Sequence, residues 1–533
     1  MTDVIVVGSG PGGVNAAAPL VAAGRRVVLL DYGNEDRRYA PLIPRRPFSE
    51  LRRTDAQQHR YFLGDHFEGI PLGPVRVGAQ LTPPRMHILT DAAERMPVRS
   101  DGFAASMSLA RGGLGAGWSA GVFPFTDDEL GAMGLGLDEL GAHYDAVAER
   151  IGVCGAEDDL QPFLPESPSI MPPLELDSNA EVVLTRYLRR RAVLNAAGFF
   201  LGRTRLAACT ERHRERGPYA YLDLDYWADM DRSVYRPQWT LEELLRAPNF
   251  TYLNRRFVHA FSEDESRVRV RATRADSGEE ETHEAAALVL AGGTLGTARI
   301  VLASLGAYDR PVPILCNAYA YVPTLNLGML RRPARDRRSS LAQLTALLRI
   351  PGNPGRIVQA QLFSYRSLLT FKLMKESPLA YREGLRVLRV LIPKFAILGI
   401  HHEDRPATGK ACVLRRGSGG PDCLEITYRP SADETRLQQA DERVLLRCFR
   451  RLGCLPLRTI RPGHGSSLHY AGTFPILREG GPLTCDRDSR LRATRAVYLA
   501  DGSIFPWIPP KGLTFNLMAN ADRVGTLLAR QLG

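Results

Sequence analysis

A reaction or a cofactor in this chain would turn on one histidine near its end and three glycines near its start. His469 lies in SLHYAGTFPI, residues 467–476, between apolar neighbours. Such a histidine is either a packed core residue or a base, because an imidazole with a reference pKa of about 6.5 can take up a proton at working pH. Gly8, Gly10 and Gly13 form G-x-G-x-x-G directly behind an apolar run. In that spacing the first glycine permits a tight turn and the second lets a pyrophosphate approach the backbone. The third lets helix and strand pack closely. Asp31, ending the next apolar run, is placed to accept hydrogen bonds from an adenosine ribose, and an acid there argues against a 2′-phosphate. These residues alone do not separate FAD from NAD.

The elements that must hold these groups follow from periodicity. Residues 3–31 read as strand, glycine turn, Ala-rich helix to Gly24 and second strand, a βαβ unit. Helices are expected at 137–152 and 178–197, with a Pro-rich linker between them, and strands across 250–291 with a helix from Thr294. Ser431 and Glu434 have capping-box spacing ahead of another helix. The chain closes with a strand, AVYLAD, and a helix starting near Leu513.

Composition excludes several roles. With 533 residues and 44% hydrophobic content the chain is globular and long enough for two domains around a large cleft. The net charge of +11 comes from scattered arginines, lysine standing only at 372, 375, 394, 410 and 511, with no basic stripe interleaved with aromatics. Nucleic acid is therefore not an expected partner. The eight cysteines show no zinc spacing, so no metal is expected, and reduced thiols point to the cytoplasm. A signal peptide would need an apolar core and a cleavage site where residue 3 already reads as the start of a strand, so none is expected. Residues 385–400, LRVLRVLIPKFAILGI, are the nearest approach to a membrane span. Arginine, lysine and proline interrupt them, and they read as helix then strand, or as a patch on a membrane surface.

The last 38 residues resemble the end of the glucose/methanol/choline flavoprotein oxidoreductases: Asp501, Ser503 and Pro506 match the D-x-S-x-x-P segment, with Gly502 between. His469 in HYAGT matches that family's base beside flavin N5. RGGLGAGWSAGVFPF, residues 111–125, is similar to the flavin-cradling loop of its pyranose-oxidase branch, through Gly112, Gly113, Gly117 and Trp118. Gly117 stands where that branch carries a flavin-linked histidine, so the resemblance implies non-covalent FAD. LVLAGGTLGTARIVLASLG, residues 288–306, resembles the second family signature through Thr297 and Arg299, departing from it at Ala298 and Leu305. Val258 matches a position whose backbone contacts adenine.

The resemblance implies an α/β fold with a Rossmann-type FAD-binding domain built from residues 1–35, 101–160, 250–310 and 495–533. A substrate domain of sheet and helices would come from 36–100, 161–249 and 311–494. It implies oxidation of an alcohol, with His469 taking the hydroxyl proton and oxygen or another carrier taking the electrons. Leu513 and Thr514 would offer helix N–H groups to the flavin. The sugar-oxidising branch suggests a sugar, glycoside, cyclitol or sugar-bearing natural product. The apolar stretch 361–400 suggests instead a sterol or lipid alcohol. The family's second polar residue falls on Pro510, which can do neither of its jobs. Lys511 is the nearest candidate, at the substrate oxygen or beside the flavin, unless it points to solvent. Asn516 reads as a helix packing residue, His464 as a loop residue, and His401 and His402 as cleft or strand-end residues. The missing partner also leaves open a flavin-containing lyase or isomerase, or a flavin-binding protein without chemistry.

Overall fold

The computed structural model describes residues 2–69, 82–167, 170–332, 338–353, 355–364 and 380–533. Residues 365–379 of the apolar 361–400 stretch lie outside them. The fold is α/β, built chiefly on two sheets that both contribute residues to one cavity.

The first sheet is parallel. Its strands run in the order Val497–Leu499, Ala287–Leu290, Val4–Val7, Val27–Leu30, Phe250–Leu253. The four-residue runs VIVV, VVLL and ALVL are β-branched or leucine-rich and almost wholly buried. That is the pattern of strands covered on both faces. The helix Pro11–Ala22 starts with proline in its first turn, where a missing N–H costs nothing. It packs against the closing helix Thr514–Gln531. All five strands come from residues 1–35, 250–310 and 495–533.

The second sheet is antiparallel, with strands in the order Cys454–Pro456, Tyr319–Asn326, Phe395–His401, Ile357–Phe363, Leu344–Arg349, Phe199–Arg203. Side chains alternate across a strand. Val322, Val358, Ala360, Leu398 and Ile400 therefore pack beneath the helices Ser178–Ala196 and Ala432–Arg451. On the other face Tyr319 and Tyr321, Gln359, Gln361 and Phe363, and Ile397 and His401, from three neighbouring strands, form the floor of the cavity.

The expected helices appear at Leu137–Ile151, Ser178–Ala196 and Thr294–Ser304. Ser431 caps its helix by accepting from the Glu434 N–H. The Glu434 carboxylate does not complete a capping box; it turns to the buried Lys410 ammonium, 2.9 Å away. Residues 385–400 resolve into the end of the helix Tyr381–Leu391 and the strand Phe395–His401. Among the described residues no helix is long and apolar enough to cross a membrane. The eight cysteines are free and buried, and no metal-holding cluster occurs among the described residues.

Candidate functional site

The glycine turn opens one end of a cavity of about 700 Å³, within the usual range of about 300–1,000 Å³ for ligand sites. Gly8 takes a φ of +96°, a left-handed conformation that a side chain would strain. Gly13 stands behind the turn, where a Cβ would fall 1.8 Å from the Gly8 carbonyl oxygen. Gly10 by contrast lines the cavity, with only the Gly112 carbonyl near its missing side chain, 3.9 Å away. Gly13→Val should therefore cost at least about 1–3 kcal/mol through overpacking and lose the dinucleotide cradle. A thermal melt and the visible absorbance of the purified protein would register the two effects.

Ser9, between the first two glycines, ties the turn to its surroundings. Its hydroxyl donates to Asp31 Oδ2 at 2.5 Å and accepts from the Gly112 N–H at 2.8 Å. Tyr252 also donates to Asp31 Oδ2, at 3.0 Å. Burial pushes the Asp31 carboxyl up to about 6, against the lowering effect of those hydrogen bonds. Asp31, Gly113, Gly117, Trp118 and Val258 all line the cavity. The Val258 carbonyl accepts from the Arg299 guanidinium.

Asp501 is buried and lines the cavity. One carboxylate oxygen accepts from Thr297 Oγ1 at 2.5 Å, the other from the Ser503 N–H at 2.9 Å and from the Ser503 hydroxyl. Thr297 and Arg299 thus hold Asp501 and Val258 in place from one helix. Gly502, Leu513 and Thr514 complete that wall, and Thr514 opens the closing helix, whose N-terminal end meets the cavity.

His469, partly buried, opens onto the same cavity with its ring beside Gly512. Its Nδ1 lies 3.1 Å from Asn317 Oδ1. Asn317 Nδ2 donates to the His402 and Pro509 carbonyls at 2.6 and 3.0 Å. Those two acceptors fix the amide orientation, so its oxygen faces the ring and His469 Nδ1 must carry the hydrogen. Nε2 is left with its lone pair, makes no hydrogen bond to a described residue, and is the nitrogen free to act as a base. Burial lowers the His469 pKa from 6.5 to about 4, so the ring is neutral at ordinary pH. Asn317→Asp would set a carboxylate against Nδ1 and raise that pKa. The acid limb of the pH–rate profile, near 4 in the wild type, should move to higher pH, as a profile of flavin reduction would show.

His401 stacks beside His469, with ring centroids 5.3 Å apart and planes inclined by 28°. Burial, then the neighbouring His469 and His402, push its pKa well below the usual histidine value. His402, next along the chain, faces away from the cavity and meets Glu442 Oε1 at 3.3 Å.

No known protein-family profile matches the chain, and no curated protein does. Among solved structures, pyridoxine 4-oxidase from Mesorbium loti superposes with a TM-score of 0.59 at 15% identity, over 99% of both chains. An FAD-dependent oxidoreductase from Chaetomium thermophilum, in complex with a thienyl butanamide fragment, gives a TM-score of 0.59 at 13% identity, over 100% of this chain and 99% of that one. The chain shares the fold of FAD-dependent oxidoreductases.

Two of the catalytic and cofactor-binding residues named from sequence do not line the cavity, Gly13 behind the turn and Lys511. Lys511 is buried, its ammonium 2.6 Å from Glu129 Oε2 and within 2.7 and 3.3 Å of the Phe163 and Pro124 carbonyls. None of those partners lines the cavity. The ammonium is spent on packing, which corrects the expectation that it reaches a substrate or flavin. Asn516 is structural, its oxygen accepting from the Phe125 N–H and the Tyr144 hydroxyl. His464 packs against Tyr428 outside the cavity wall. Pro510 is buried, and His469 has as polar neighbours Asn317, just past the strand Leu315–Cys316, and His401, which ends the strand Phe395–His401, both far away in sequence. Neither was singled out as a partner of His469, although an asparagine that ends the apolar run VPILC was a usable signal.

Proposed function

We propose that this protein is an FAD-dependent oxidoreductase of the glucose/methanol/choline type that converts a CH–OH group to a carbonyl. The observation that carries this reading is His469. Its Nδ1–H is fixed by Asn317, and its Nε2 opens on a cavity whose far wall is a dinucleotide cradle. Gly8 and Gly10 would hold the pyrophosphate, Asp31 the ribose, and Gly113, Gly117, Trp118 and Val258 the remainder. Gly117 offers no side chain for a covalent link, which supports non-covalent FAD. When bound, FAD would supply the hydride acceptor.

The chain's own part is proton handling and charge. His469 Nε2 takes the hydroxyl proton of the substrate, so no free alkoxide has to form. The Asn317 carbonyl oxygen, on the opposite side of the ring, stabilises the imidazolium that results. The N-terminal N–H groups at Leu513 and Thr514 present the positive end of the closing helix, which favours negative charge at the cofactor. Oxygen or another carrier would take the electrons afterwards. A sugar, glycoside or cyclitol is one substrate class within this reading, and an apolar alcohol the other.

The test is to release and identify FAD from the purified protein, then add alcohols under anaerobic conditions. Loss of the flavin absorbance in proportion to alcohol consumed is the expected result. A protein that cannot be loaded with FAD would sink the proposal, and turnover without bleaching would favour a lyase or isomerase.

A further inference from the structure

The floor of the cavity carries polar groups that the proton transfer does not use. Tyr319, His401 and Gln359 are directly opposite one another on three neighbouring strands, and Gln361 and Tyr321 flank Gly399 in the next row. The following row holds Ile397 opposite Phe363. All of these except Gly399 line the cavity.

Gln359 is 1% exposed and Gln361 8%, in a strand, IVQAQLF, that is otherwise apolar. Neither carboxamide makes a hydrogen bond to another described residue, and Gln359 Nε2 is enclosed with no partner, as is His401 Nδ1. A buried amide without a partner carries the full cost of its lost water. One such amide, next to a second that opens to the cavity and beside the proposed base, forms an arrangement that a bound molecule completes. Beyond them the wall is flat and apolar, with Phe363, Trp227 and Phe62. Among the described residues, the charged side chains lining the cavity are Asp31, Arg256, Arg299 and Asp501, all in the dinucleotide half.

We infer that Gln359 and Gln361 are specificity-determining residues that select an uncharged aromatic-ring alcohol rather than a sugar or a sterol. Its polar edge, beside the carbon oxidised, pairs with the two carboxamides, and its flat body lies on the aromatic floor. Among the described residues a charged substrate would meet no counter-charge in this half, and a wholly apolar one would leave both amides unpaired. The inference rests on the alcohol-oxidation reading and narrows its substrate.

An isosteric series tests it: 3- and 4-(hydroxymethyl)benzamide, the matching methylbenzyl alcohols, and the matching benzoates, with D-glucose and cholesterol as outside probes. The readout is the second-order rate of anaerobic flavin bleaching in the holoenzyme. A benzamide should exceed both its methyl and its carboxylate analogue by at least about tenfold. In Gln359→Leu and Gln361→Leu the benzamide-to-methyl ratio should fall towards one. Gln359→Glu, nearly the same shape, supplies the comparison if a leucine variant fails to fold or to hold FAD. Three results would overturn the inference while alcohol oxidation stands. They are a preferred carboxylate or methyl analogue, faster bleaching by D-glucose or cholesterol, and a ratio unmoved in the variants. Flavin that no alcohol bleaches in the wild type removes the functional reading and this inference together.

Discussion

His469→Ala should slow anaerobic flavin reduction by a substrate alcohol by roughly 10²–10⁴, the usual contribution of a positioned general base. The FAD content and melting temperature should stay close to those of the wild type. The size of the effect follows from the geometry. Nδ1 is committed to Asn317, so Nε2 is the ring nitrogen left to accept a proton, and burial keeps it unprotonated above about pH 4. Alanine removes the acceptor and leaves Asn317 held by the His402 and Pro509 carbonyls, so the wall should not collapse. Stopped-flow traces of the two proteins at one alcohol concentration decide it. A fall of less than about fivefold would return His469 to the role of a packed core residue.

The dinucleotide half of the site was legible because its signals are local. The glycine turn, its helix and the strand ending at Asp31 lie within one βαβ unit, and each glycine answers a backbone requirement that composition alone exposes. The substrate half was not legible in the same way. His469 meets Asn317 across 152 residues of chain, and His401 reaches it from a third strand. Strand pairing makes those meetings, and no spacing in sequence encodes them. The alternation in IVQAQLF and FAILGIH does carry a trace. Gln359, Gln361 and His401 occupy one parity of strands whose other parity is wholly apolar, which marks a polar face on a buried sheet. Reading residues 385–400 as helix then strand places that face correctly. Seeking a partner for His469 only beside Pro510 looks along the chain when the answer lies across the sheet.

Lys511→Met should cost about 3–5 kcal/mol of stability, as breaking a buried ion pair does, and leave the rate of flavin reduction per bound FAD nearly unchanged. The ammonium is 1% exposed and holds Glu129 and two carbonyl oxygens together. Burial lowers its pKa despite the pairing with Glu129, so desolvation outweighs the attraction between the two charges. Buried pairs of this kind are weak net sources of stability, yet removing one half strands a carboxylate that also accepts from the Thr126 N–H. The double variant Lys511→Met/Glu129→Gln tests this reasoning. Glutamine keeps an acceptor for Thr126 without the charge, so most of the lost stability should return. Urea unfolding of the three variants, with flavin reduction measured on each, separates the two roles proposed for this lysine. A slowed reaction in a protein that melts like the wild type would place Lys511 in the chemistry. Lost stability, restored in the double variant, would place it in the wall behind.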